Sequence, residues 1–247
     1  MLEDLKIAAV FLTRLPIRLE GGVTLKALAD AVYVFPVVGA LVGAAGAVVY
    51  ALAQGFGLPP LAGAVLALAT MTAVTGGLHE DGLADTADAL GAREDRERAL
   101  AIMRDSRIGS YGAIALAFAL LARTVAYGSL VEVGRFAAVA IAACAASRAV
   151  MPAVMLVQPS ARASGLAASA GRPQPERVYA GLGLAAALAF LLLPTAGAFK
   201  AVAATALAAA ALALWLGRRF GGCTGDTLGA IQQAAEVAFL FAVLGAR

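Results

Sequence analysis

From Ala31 to Leu78 the chain runs 48 residues without a charge, interrupted only by Gln54-Gly55-Phe56-Gly57 and Pro59-Pro60. An α-helix rises about 1.5 Å per residue, so about 20 residues cross a ~30 Å hydrocarbon core. The stretch therefore predicts a hairpin of two spanning helices, 31–53 and 58–78. Further apolar blocks fall at 108–131, 136–158, 178–199, 201–216 and 228–245. They are rich in Ala, Leu and Gly, small residues that let helices approach closely in lipid. No strand-like alternation interrupts them, and helices satisfy their own backbone polar groups where water is absent. The pattern predicts an all-α, polytopic membrane bundle of about seven spans, with residues 1–247 forming a single membrane domain. Leu5 to Ile17 is too short and too charged to span, so residues 1–26 are expected to be interfacial or re-entrant.

Composition supports that pattern. With 62% hydrophobic and 14% charged residues, the chain is too apolar for disorder and too poor in polar residues to cover a soluble globule of this size. A net charge of +3 comes without the basic runs or aromatic-basic interleaving of a nucleic-acid groove, so no nucleic-acid partner is expected. Cys144 and Cys223 offer neither a disulfide framework nor metal-ligand spacing. Met1-Leu2-Glu3-Asp4 lacks the positive opening of a secretory signal, so targeting is expected to come from the spans. Of the 19 Lys and Arg, 14 fall in the N-terminal segment and the connections 79–107, 159–177 and 217–227. Seven spans place all four segments on one face. The positive-inside bias makes that face cytoplasmic.

The polar chemistry is concentrated in those connections. In His79-Glu80-Asp81-Gly82-Leu83-Ala84-Asp85-Thr86-Ala87-Asp88, the aspartates stand at i, i+4 and i+7, on one stripe of a helix. Aligned carboxylates repel unless a cation lies among them, and hard oxygen ligands suit Mg²⁺ with phosphate oxygens. A solvated helix face is the alternative, although Leu83, Ala84, Ala87, Ala89 and Leu90 provide an apolar side to dock the helix. His79, the single histidine, is a candidate general base or a structural hydrogen-bonding group. Glu80 points off the stripe and reads as a peripheral charge. In the second cluster, Met103-Arg104-Asp105-Ser106-Arg107-Ile108-Gly109-Ser110-Tyr111-Gly112, two arginines can fork onto phosphate beside the free amides of a helix N-terminus. Plain charge anchoring is the alternative for Arg104 and Arg107. The mixed-charge run 93–98 between the clusters reads as a solvated helix surface. Gly221-Gly222-Cys223-Thr224-Gly225-Asp226-Thr227 forms a third cluster, a Gly-rich loop with Thr224 and Asp226 as possible ligands. A plain interhelical turn explains it equally.

Three motifs, GGLHEDGLADTADAL (76–90), IMRDSRIGSYG (102–112) and GGCTGDTLGA (221–230), resemble the cobalamin synthase (adenosylcobinamide-GDP ribazoletransferase) family. FLTRLPI (11–17) and FPVVGALVG (35–43) are similar to it as well, so the resemblance runs in order over most of the chain. Glu80 and Ala89 depart from the residues expected there and leave the aspartates untouched. The resemblance implies a Mg²⁺-dependent enzyme of the cytoplasmic (inner) membrane, completing the nucleotide loop of a corrinoid coenzyme. Its substrates would be adenosylcobinamide-GDP and α-ribazole or α-ribazole 5′-phosphate, with GMP released. Asp81, Asp85 and Asp88 would hold Mg²⁺, and Asp85, Asp105 and His79 are the candidate catalytic groups. Arg104, Ser106, Arg107, Arg14, Gly222, Thr224 and Asp226 are expected to bind substrate. The resemblance leaves open a homo-oligomer or an association with other corrinoid-pathway enzymes.

Two rival readings remain at this point. Asp81-Gly82-Leu83-Ala84 is similar to the opening of the CDP-alcohol phosphotransferase motif, although the arginine expected next is Asp85. An aspartate-rich prenyltransferase would need a second aspartate-rich motif. A transporter would use intramembrane charges, for which Arg123, Arg148 and Glu236 are candidates.

Overall fold

The computed structural model describes residues 1–19, 25–92, 95–105, 107–162 and 171–246. The order is α1 (Leu2–Leu12), α2 (Leu25–Asp30), a 3-10 turn (Val32–Val34), α3 (Phe35–Gly55), α4 (Pro60–Thr75) and α5 (Leu78–Gly91). It continues with α6 (Arg96–Ile102), α7 (Ser110–Gly128), α8 (Val133–Val157), α9 (Pro175–Leu192), α10 (Thr195–Phe220) and α11 (Gly225–Leu244). Among the described residues there is no strand, only an isolated bridge between Ser160 and Cys223.

Among the described residues, six helices are long and apolar enough to cross a membrane: Val32–Gly55, α7, α8, α9, α10 and α11. Leu41, Val48, Leu52, Phe118, Leu121, Leu191, Phe199 and Leu207 stand exposed on their outer faces, as lipid contact requires. The molecule is a multi-pass membrane protein. The second predicted span, 58–78, is shorter than expected. Its helix, α4, ends at Thr75, and Gly76 and Gly77 follow at φ +65° and +70°. Left-handed backbone is open to glycine at little cost and stops a helix. The chain then turns by 87° into α5. With Glu80, Asp81, Asp85 and Asp88 along it, α5 is too polar to be a span by itself, and a seventh crossing is reached only by α4 and α5 together as one bent pair.

The fifth and sixth predicted spans also shift. The break falls at Leu193-Pro194, so Thr195–Lys200 opens α10 and does not close α9. Proline has no amide to continue the preceding helix, and its fixed φ suits the residue before a new one. The predicted interfacial segment contains α1, whose Ile7, Ala8 and Leu12 are buried in the core beside Val32 and Phe35.

The closest helix pairing is α3 with α8. A side chain at Gly39 or Gly43 would collide with the backbone of Cys144 or Ala140, so this four-residue glycine spacing sets the contact. Two apolar clusters fill the bundle. One holds Ile7, Leu12, Phe35, Val150, Phe220 and Ile231 near the motif loops. The other holds Tyr50, Tyr127, Phe136, Ala140 and Phe239 at the far end. On α8 and α11 the buried polar residues Ser147, Arg148, Gln232, Gln233 and Glu236 fall between them.

Candidate active site

The helix α5 carries the acidic stripe. Its buried side, Gly82, Ala84, Thr86 and Ala89, docks on α7 and α11; of the apolar side expected from sequence, Ala84 and Ala89 are buried and Leu83, Ala87 and Leu90 only partly so. Gly82 lies against the Asp226 backbone; an added Cβ would come within 2.8 Å of the Asp226 carbonyl oxygen. Asp81 is exposed, whereas Asp85, Asp88 and Asp226 are half-buried. Burial and the neighbouring charges of Asp81, Asp226 and Asp88 push the Asp85 carboxyl up to about 7, with Arg162 opposing. The first and third motifs thus share one negatively charged centre.

Arg162 was not picked out by sequence except as one of the basic residues of the loop 159–177. It pairs with Asp226 at 3.1 Å and donates to the Leu100 carbonyl at 3.3 Å. Its only sequence signal is its side of the membrane.

The second motif meets α5 through Asp88. Its two carboxylate oxygens accept from the Gly109 amide at 2.7 Å and the Gly112 amide at 2.8 Å. A side chain at either glycine would strike that carboxylate. The amides expected to stay free for phosphate at the start of α7 are therefore taken by Asp88, which caps the helix where an anion is favoured. Asp105 and Arg107 form an exposed ion pair, Oδ2 to Nη2 at 2.6 Å. That pairing holds the Asp105 carboxyl down at about 2. Arg104 is exposed on the same loop, while Ser106 lies outside the described residues.

The third motif is a backbone device as much as a ligand set. Gly222 has φ +144°, and a Cβ there would collide with the Pro159 carbonyl. That contact lets the Cys223 amide donate to Pro159 O at 2.9 Å and the Ala161 amide to Cys223 O at 2.8 Å. Thr224 is buried and caps α11, its Oγ1 accepting from the Thr227 amide at 3.1 Å. Arg96, expected on a solvated surface, instead donates to Phe220 O at 2.6 Å and Ala161 O at 2.9 Å. It ties both loops together at the C-terminal end of α10, where a cation complements the helix dipole. Arg14 rests on the α4–α5 bend, its amide donating to Val74 O at 2.7 Å and its side chain crossing Gly76.

His79 is buried at 1% exposure, and neither ring nitrogen has a hydrogen-bond partner. Burial first, then the charge of Arg148, drives its pKa down to about 3, so the ring is neutral. Beside it lies a cavity of about 100 Å³, lined by residues including Phe11, Val32, Phe35, Met155, His79 and Asp81, with Asp226 also on its wall.

Glu80 corrects its reading as a peripheral charge. It is buried, and its Oε1 accepts from Arg123 Nη1 at 2.8 Å and Gln233 Nε2 at 3.2 Å. Arg123 also pairs with Glu236 at 3.1 Å, and Gln232 donates to Glu236 Oε2 at 2.9 Å and to Ser147 Oγ at 2.8 Å. The departure at position 80 is thus one member of a closed network under the site. The three charges offered for a transport path include two, Arg123 and Glu236, that neutralise one another here.

Among the described residues, no three His, Cys, Asp or Glu side chains converge as a ready-made metal cage. The donor set at the face, Asp81, Asp85 and Asp226 with Arg162 as the neighbouring cation, nevertheless has the hard-oxygen chemistry of a Mg²⁺ site that keeps several waters. Burial and the repulsion of its neighbours together lift Asp85, and a divalent cation among the carboxylates would offset both.

The cobalamin-5-phosphate synthase family model matches residues 4–244. An adenosylcobinamide-GDP ribazoletransferase of Mesorhizobium japonicum is 45% identical over 97% of this chain and 92% of its own. One from Bradyrhizobium diazoefficiens is 43% identical over the same shares. One from Citrobacter koseri is 39% identical over 95% of this chain and 96% of its own. No solved structure matches significantly. With the model and these relatives covering nearly its whole length, the chain belongs to the cobalamin-5-phosphate synthase family.

Proposed function

We propose that this transferase joins α-ribazole, or its 5′-phosphate, to adenosylcobinamide-GDP and releases GMP, on the cytoplasmic side of the inner membrane. The observation that carries the reading is the meeting of Asp81 and Asp85 on α5 with Asp226 and Arg162 at one end of the bundle. A basic loop bearing Arg104 and Arg107 lies alongside. The 5-phosphate in the family's description favours the phosphorylated acceptor.

The acceptor hydroxyl attacks the cobinamide-side phosphorus, the bond to the GMP phosphate breaks, and GMP leaves with that oxygen. In-line placement and charge neutralisation are what such a displacement asks of a protein. Arg104 and Arg107 hold the diphosphate oxygens, Arg107 by exchanging Asp105 for substrate. Arg162 fixes the direction of Asp226. The hydroxyl proton passes to the carboxylate cluster of Asp81, Asp85 and Asp226. Mg²⁺ bound by Asp81, Asp85 and Asp226 would supply neutralisation of the diphosphate and of the leaving phosphate. Asp88 serves this centre by fixing α5 to α7.

Replacing Asp85 by Asn tests the reading directly. GMP release from adenosylcobinamide-GDP is expected to fall by about 10² or more, with the detergent-solubilised protein still folded. Turnover close to wild type would remove Asp85 from the mechanism. Release of CMP from a CDP-alcohol instead would move the chain's activity to the rival chemistry.

A further inference from the structure

The cavity beside the carboxylates has a composition unlike the rest of the site. Phe11 and Phe35 stack with ring centroids 5.9 Å apart, and Phe11, Val32, Phe35 and Met155 line the cavity together with His79. Asp81 and Asp226 belong to the same lining, so an apolar recess adjoins the carboxylate cluster. Within it, His79 is 1% exposed and both its ring nitrogens lack a partner. Leaving a buried polar group unpaired costs about 1–3 kcal/mol, so an occupant that reached either nitrogen on a turn of the ring would recover that loss.

We propose that this recess is the seat of the acceptor's aromatic base, with His79 as its hydrogen-bonding wall. The inference rests on the transferase reading above and names which part of which substrate enters. Three groups take part in that reaction. A corrin macrocycle is far too large for so small a recess. Guanine could pair its ring N–H and amino group only with the Asp81 and Asp226 carboxylates, which the reaction itself needs, and its carbonyl would face the apolar wall. The base of ribazole is a bicyclic benzimidazole with two methyl groups and one unsubstituted ring nitrogen. Its edge is apolar enough for Phe, Val and Met, and methionine sulfur packs well on aromatic faces. Its free nitrogen accepts one hydrogen bond, which a neutral imidazole can donate. A base seated here puts its ribose at Asp81 and Asp226, where the hydroxyl must react. His79 is then a positioning residue that fixes the base.

Filling the recess with Met155→Trp separates the possibilities, with Met155→Leu as the size-matched control. The expected result is a rise of about tenfold or more in KM for α-ribazole, the scale of a disturbed apolar pocket. KM for adenosylcobinamide-GDP stays unchanged, and Met155→Leu, which keeps the volume and loses only the sulfur, raises the acceptor KM far less than Met155→Trp. His79→Phe should raise the same acceptor KM while kcat at saturation is retained. Free 5,6-dimethylbenzimidazole, titrated calorimetrically into the unmodified detergent-solubilised protein, should bind and compete with α-ribazole. It should not bind the Met155→Trp protein. Equal effects on both KM values, or undiminished binding of the free base by Met155→Trp, would overturn the base pocket. A wild-type protein that releases no GMP, yet still binds the base in the recess, would count against the transferase reading alone.

Discussion

Asp85 is held among Asp81, Asp226 and Asp88 with Arg162 as the opposing charge, and its raised pKa has a thermodynamic counterpart. The unfolded chain gives up this proton near the ordinary carboxylate value of 3.8, whereas the folded protein keeps it to about 7. The folded state therefore binds the extra proton between those values, and the stability it confers is lost as pH rises through about 7. Thermal unfolding of the metal-free protein is expected to shift downward as pH rises from ~4 to ~7 and to level off above that. Asp85→Asn should flatten that dependence, and so should saturating Mg²⁺. An unchanged slope in the variant would place the titration elsewhere. At this scale the sequence was informative where partners share an element. Asp81 and Asp85 are one helical turn apart, and their common face could be read directly. The roles of Glu80 and Arg162 are not legible in the sequence, because their partners, Arg123 and Asp226, reach them only through tertiary packing.

Helices in this bundle are positioned by contacts between motifs, not only within them. Asp88 sits on α5 and closes the amino end of α7, and Gly109 and Gly112 are glycine because that carboxylate needs the room. Asp88→Ala would free both amides and untie the two helices. The expected cost is about 1–2 kcal/mol, the usual range for a lost N-terminal cap, measured by thermal or denaturant unfolding in detergent. Activity should fall along with it, because α5 also carries Asp81 and Asp85; Asp88→Asn, which keeps an accepting oxygen, should lose less. Hydropathy alone located the helices well, since an uncharged run of spanning length has few alternatives in lipid. It placed the ends less well. The Gly76-Gly77 stop and the Leu193-Pro194 break are local backbone events inside otherwise apolar sequence, where a hydropathy window averages them away.

Across the whole molecule, a polar layer on α5, α7, α8 and α11 separates two apolar clusters. Arg123 balances Glu80 and Glu236 at its centre. Removing one member of a buried ion network leaves its partners uncompensated, at a cost of about 3–5 kcal/mol. Arg123→Met should therefore lower stability on that scale, and adding Glu236→Gln should restore part of it. If the single variant unfolds at the wild-type temperature, the network contributes no net stability. Beyond this layer, every buried residue of α8 and α11 toward the far end is apolar, from Phe136 to Ala146 and at Phe239, Leu240 and Val243. Tyr50 seals its own hydroxyl against the Leu130 carbonyl at 2.9 Å. The consequence is electrical. Carboxylates and arginines gathered at one end of a membrane-spanning bundle risk becoming a shunt for protons. This far half works as an insulator, so the bundle can host ionic chemistry on one side without discharging the membrane it sits in.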